Sequence, residues 1–170
     1  MEAVPIEFPK LTCTIDDVMW TTEGRVIATV RPFPAQTMRQ VNMKLGYVIL
    51  YVPDVAGAVA FYEKAFGLSR RFVHESGQYA EMETGVTALA FASEEMASTS
   101  HAFRCNRLQD QAAGAEVAFV AIEVAASYRR AIDAGATPLV EPATKPWGQV
   151  VSYVRDLNGF LVEICSEVTP

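Results

Sequence analysis

A repeat constrains this chain more than any other feature. Residues 47–52 form a β-rich run stopped by Pro53, and Asp54 stands where a helix N-cap belongs. The helix then runs to Gly67, with Val55, Val59, Tyr62 and Phe66 in one apolar stripe that Ala58, Phe61 and Ala65 widen. A stripe of that width has to pack on a sheet. Three strand candidates follow at 71–74, 78–83 and 86–92, with turn residues Glu75-Ser76-Gly77 and Thr84-Gly85 between them. The same order then returns: a strand at 116–122, a helix at 124–134 closed by Gly135, an extended piece at 137–140, and two apolar runs either side of Asp156-Leu157-Asn158-Gly159. Tyr47 to Gly67 spans 20 positions and Glu116 to Gly135 spans 19, so the register repeats as well as the order. The fold class is therefore α+β, built from two βαβββ modules.

Outside the repeat lie two other segments. Residues 1–42 contain a candidate hairpin, 11–20 and 25–31 around Thr21-Thr22-Glu23-Gly24, followed by a Pro-rich linker. This N-terminal extension could cover a sheet edge, mediate self-association, or be only loosely attached to the domain that opens at Met43. Module 1 occupies about 44–93 and module 2 about 114–168 of a domain at 43–168. An Ala-, Ser- and Gln-rich connector at 94–113, with room for a short helix, joins them. The net charge of −6 argues against nucleic acid as partner, because phosphate binding needs a basic face. No apolar run reaches membrane-spanning length, and three cysteines without metal-type spacing read as reduced thiols, so the expected location is the cytoplasm.

One residue in the last strand is out of keeping with a core. Glu163 lies between Val162 and Ile164, and strand side chains alternate between faces. With Val162 and Ile164 under a helix, Glu163 shares the opposite face with Leu161 and Cys165. Four sequence stretches now come together: Tyr51-Val-Pro-Asp-Val, Ala60-Phe-Tyr-Glu-Lys-Ala-Phe-Gly-Leu68, Pro146-Trp-Gly-Gln, and Asp156-Leu-Asn-Gly-Phe-Leu-Val-Glu163. In order and spacing they resemble the vicinal oxygen chelate superfamily of glyoxalases, extradiol dioxygenases and bleomycin- and fosfomycin-resistance proteins. The resemblance covers roughly residues 43–168 and says nothing of 1–42. It implies that the two modules form a curved mixed sheet around a cup, often assembled across a homodimer. It also implies four ligand positions in the cup, which here carry Tyr47, Ala90 (or Leu89 if the register is off by one), Glu116 and Glu163.

Those four positions set the functional expectations. The first module supplies no strong ligand, so the leading expectation is a small-molecule binding protein of bleomycin-resistance type, working without a catalytic metal. Alternation places Tyr47, Ile49, Tyr51, Ala90, Glu116, Leu161 and Glu163 in the cup, with Ala88, Ala92, Ala118, Val120 and Cys165. Aromatics mixed with alanines suit a drug-like, partly aromatic or cationic ligand. Trp147 either folds over the mouth or packs on its hairpin. The alternative is a metal-dependent lyase or isomerase of glyoxalase type, with Glu163 as ligand or base. A divalent metal (Mg²⁺, Mn²⁺, Ni²⁺ or Zn²⁺) would then sit on Glu116 and Glu163, and two carboxylates favour Mg²⁺ or Mn²⁺ over tightly held Zn²⁺. A third reading is a scaffold that self-associates through the N-terminal hairpin. Among the remaining candidates, His74 reads as a surface residue near a turn. His101 and Cys105 share the connector without an orienting third group. Arg104 and Arg107 reach an anionic ligand only if the connector folds over the cup.

Overall fold

A computed structural model describes Cys13–Trp20, Val26–Pro32 and residues 43–168. The chain divides into two compact units, Met1–Lys44 and Leu45–Pro170. In the first, strands β1 (Cys13–Trp20) and β2 (Val26–Pro32) pair antiparallel from Cys13 opposite Pro32 to Trp20 opposite Val26. The turn and the Pro-rich linker expected around them fall outside the described residues.

The second unit holds two sheets with the same plan. The first module runs β3 (Tyr47–Val52), α1 (Val55–Phe66), β4 (Ser69–Val73), β5 (Tyr79–Glu83) and β6 (Ala88–Ser93). Its strand order is β3-β6-β5-β4, with β3 parallel to β6 and the other pairs antiparallel. A short helix α2 (Glu94–Ser98) opens the connector. The second module repeats the sequence as β7 (Glu116–Val120), α3 (Val124–Ala134), β8 (Thr137–Thr144), β9 (Val150–Arg155) and β10 (Leu161–Cys165). Its order, β7-β10-β9-β8, matches the first, again with one parallel pair, β7 and β10.

Local chemistry sets the helix ends. The Asp54 carboxylate accepts from the Gly57 N–H at 3.0 Å, satisfying a donor of the first turn. Gly67 closes α1 at φ 71° and Gly135 closes α3 at φ 114°, left-handed conformations that a Cβ disfavours. β8 extends four residues beyond the stretch expected from its apolar content, through Glu141-Pro142-Ala143-Thr144, with irregular register opposite Tyr153 and Val151. Backbone pairing with β9 carries it past the point where its own sequence signal ends.

The helix sides of both sheets share one core. Val55, Tyr62 and Ala65 of α1, Tyr128 and Ala131 of α3, Leu89 and Phe91 of β6, and Val162 and Ile164 of β10 are all buried in it. Each large apolar side chain fully buried there contributes about 2 kcal/mol relative to exposure. Contacts between α1 and the second module join the two modules around this core. Phe66 packs on Phe119 with ring centroids 5.0 Å apart, Arg130 Nε donates to the Ala65 carbonyl at 3.0 Å, and Tyr62 Oη donates to Asp156 Oδ2 at 3.0 Å. Asp156 also accepts from the Asn158 and Phe160 N–H groups of its own turn, so a buried carboxylate fixes the β9–β10 hairpin and helix α1 together. Burial pushes its carboxyl up, against these hydrogen bonds, and pushes up the Tyr62 hydroxyl. Because the helix-side faces are spent on this shared core, the opposite face of each sheet lies outside it.

Candidate functional site

On the first sheet, alternation brings Tyr47, Ile49 and Tyr51 of β3 opposite Ala88, Ala90 and Ala92 of β6. Across β6, Tyr79 stands opposite Ala92 and Glu81 opposite Ala90. The alanines form a buried floor between taller neighbours, while Tyr47 is 54% and Ile49 43% exposed. Tyr79 Oη donates to Glu81 Oε1 at 3.1 Å, and its phenol is pushed up to about 12, by burial first and by Glu81 second. At the rim Arg71 donates to both oxygens of Glu83 at 2.6 and 2.9 Å, which holds the Glu83 carboxyl down at about 2. This face combines three tyrosines with two carboxylates.

The open face of the second sheet has a related composition. Glu116 lies opposite Leu161, and Glu163 lies opposite Ala118 on one side and Tyr153 on the other. Glu116 and Glu163 are therefore diagonal neighbours on one surface. The Glu163 carboxylate beside Tyr153 pushes its phenol up to about 12, with burial and the more distant Glu116 adding to the effect. Cys165, buried in the next row opposite Val120 and Val151, is pushed up to about 11, by burial ahead of Glu163. A thiol held so high is protonated at neutral pH and is a poor nucleophile. Cys165 and Cys105 are free thiols.

The residues expected in the cup thus fall into two sets. Tyr47, Ile49, Tyr51 and Ala90 share the first sheet, while Glu116, Leu161 and Glu163 share the second, and no strand pair links the two sheets. A groove of about 360 Å³ runs along their neighbouring edges, lined by Val48, Ala88, Leu89, Glu116, Val117 and Phe119. Trp147 stands in the turn before β9, 60% exposed, with Nε1 donating to Gln149 Oε1 at 2.9 Å. His74 is exposed and bonded to Ser76 Oγ at 2.8 Å in its turn. His101 has a partner that the sequence did not suggest. Its Nε2 lies 3.2 Å from Tyr51 Oη, and Tyr51 also packs on Phe103 with centroids 4.7 Å apart. The connector therefore lies against β3, and its backbone beyond α2 is not helical, so His101 and Cys105 do not share a helix face.

Four residues of these faces, Tyr79, Glu81, Glu83 and Tyr153, were not among the sequence candidates. Their signal was present: in 79–83 the odd positions are Tyr, Glu and Glu and the even ones Ala and Met, the alternation of a half-open strand. A metal needs three or more convergent donors in such a site. Among the described residues no group of three His, Cys, Asp or Glu side chains is placed to hold one. Glu116 and Glu163 supply two carboxylates, and the other two expected positions carry Tyr47 and Ala90. The residues present do not make up that donor set. Among the described residues no helix is long and apolar enough to cross a membrane.

Comparison with known proteins places this geometry in a family. Residues 44–164 match the model of the glyoxalase/bleomycin resistance protein/dioxygenase superfamily. Among solved structures, a glyoxalase-related enzyme from Fulvimarina pelagi superposes with a TM-score of 0.64 at 19% identity, over 74% of this chain and 88% of that one. TioX from Micromonospora sp. ML1 superposes at 0.55 with 23% identity, over 73% and 98%. A glyoxalase/bleomycin resistance protein/dioxygenase family enzyme from Burkholderia phytofirmans PsJN gives 0.57 at 21% identity, over 75% and 100%. At such identities the likeness is one of fold. No curated protein matches the chain.

Proposed function

The chain belongs to the glyoxalase/bleomycin resistance protein/dioxygenase superfamily, and from that premise we propose that it sequesters a planar, cationic small molecule without a catalytic metal. The observation that carries this reading is the make-up of the two open faces. Tyr47, Tyr51 and Tyr79 accompany Glu81 on one, where Glu83 is already paired with Arg71, and Tyr153 accompanies Glu116 and Glu163 on the other. Tyrosine rings present π-faces that attract a cation, and the half-buried carboxylates of Glu81 and Glu163 reward one further. Alanine floors leave room for a flat ring system. The cup itself is assembled between copies, the first sheet of one chain closing over the second sheet of another. Support comes from the shared helix-side core, which turns both faces outward in the single chain.

Thermal shift against a panel of aromatic cations, neutral isosteres and aromatic anions tests the reading. A cationic member should raise the Tm, bind stoichiometrically without turnover, and lose roughly tenfold or more in affinity in Glu163→Gln. Elemental analysis after dialysis against Mg²⁺, Mn²⁺, Ni²⁺ and Zn²⁺ addresses the enzyme alternative. About one retained ion per chain, lost in Glu163→Ala, would replace sequestration by a glyoxalase-type lyase or isomerase.

A further inference from the structure

The connector builds a second, oppositely charged pocket. It continues from α2, packs on Tyr51 of β3, and borders a half-open cavity of about 170 Å³ lined by Ile49, Tyr51, Phe103, Arg104 and Asn106. Phe160, from the turn before β10, forms the third aromatic wall. A cavity of roughly 150 Å³ lined by apolar side chains accommodates one benzene ring. Among the described residues, the one charged group in the lining is Arg104.

Two neighbouring guanidinium groups are already used by the fold. Arg107 donates to both oxygens of Glu94 at 2.6 and 2.8 Å. Arg155, itself buried, donates to the carbonyls of Arg107, Leu108, Asp110 and Gly159. These bonds, with Asn106 Nδ2 donating to the Asn158 carbonyl at 3.2 Å, hold the connector over the sheet before any ligand arrives. Arg104 is different: among the described residues it enters no ion pair, and it lines the cavity.

We propose that this pocket binds an aryl carboxylate, its ring between Tyr51, Phe103 and Phe160 and its carboxylate on the Arg104 guanidinium. The ring size follows from the volume, and the single negative charge from the single guanidinium, whose planar fork matches a carboxylate. The pocket takes Ile49 and Tyr51 from the open face of the first sheet and its charge from the connector's Arg104, so it adjoins the proposed cation cup and goes beyond it in the sign of the ligand it selects.

Benzoate, benzamide and benzylammonium are the probes, titrated into the full chain by calorimetry or saturation-transfer NMR. Benzoate should bind at one per chain and more tightly than either analogue. Arg104→Gln, at an exposed position, should keep the wild-type Tm, weaken benzoate about tenfold and change benzamide less than about twofold. Ala113→Phe, which fills the cavity from the connector side, should abolish binding of both. Glu163→Gln, on the second sheet, should leave benzoate unaffected, which separates binding at Arg104 from cation binding at that carboxylate. Equal benzoate affinity in Arg104→Gln and wild type would overturn the proposal. So would benzylammonium binding as tightly as benzoate, or no benzoate binding up to about 10 mM.

Discussion

Glu163 and Tyr153 face each other across the β9–β10 pairing, and their coupling can be read without knowing any ligand. A carboxylate beside a phenol makes the phenolate costly, which is why Tyr153 is pushed up to about 12. Spectrophotometric titration of the tyrosines should show a group ionising near that value, and Glu163→Gln should bring it back toward the ordinary phenol value near 10. The sign for stability follows from linkage. A folded-state value above the unfolded one means the native state holds the proton more tightly. This contribution is fully present below about pH 10 and is lost as pH rises toward 12. Equal titration curves for the two proteins would mean that Glu163 points elsewhere. At this scale the sequence was legible wherever alternation was strict. Glu163 was assigned to the face away from Val162 and Ile164, and Ala90 to the face away from Leu89 and Phe91, which is where they lie. What alternation could not give was the neighbour across the strand. Tyr153 beside Glu163 and Glu81 beside Ala90 are set by register, which depends on turn geometry.

Between elements, the joint with most at stake is the one between the connector and the β9–β10 turn. Gly159 has φ 85°, and a Cβ there would stand 2.5 Å from the Arg107 carbonyl carbon and oxygen, backbone atoms that cannot turn aside. Arg155 binds the same carbonyl and three others. Gly159→Ala should therefore destabilise by about 2 kcal/mol or more, through both the strained dihedral and the clash. Arg155→Met should cost about 2–3 kcal/mol, because buried carbonyls lose their donors. Urea unfolding gives both magnitudes, and hydrogen exchange should show protection lost first in residues 103–110 for Arg155→Met. A uniform loss of protection would instead make Arg155 a general core residue. The repeated modules were legible because each helix carries a long periodic stripe and a glycine stop. The connector's path was not. Its residues lack periodicity, and what fixes them is one arginine about 45 positions away donating to carbonyls, a contact with no local signature.

At the scale of the whole molecule, the open question is what covers two faces that the single chain turns outward. Val120 is 62% and Ile49 43% exposed, on strands β7 and β3 at the edges of their sheets, beside Glu116 and Tyr47. Exposed apolar side chains on sheet edges invite another copy. Sequence patterning gives each residue a face, but it cannot say which faces meet, because that depends on how the two modules dock through α1, α3 and the Tyr62–Asp156 bond. If the cup is made between copies, ligand affinity and self-association are linked: whatever binds across the cup binds only the assembled form and must shift the association equilibrium toward it. Val120→Lys should then lower the mass in solution to that of one chain, leave the Tm of the isolated chain nearly unchanged, and weaken the aromatic cation together with the assembly. Raising the protein concentration should restore both in parallel. Analytical ultracentrifugation with and without the cation measures this linkage directly. A Val120→Lys chain that is monomeric yet binds the cation as wild type does would place the complete cation site within one chain. An assembly that survives Val120→Lys but is lost on removing residues 1–42 would assign self-association to the β1–β2 hairpin instead.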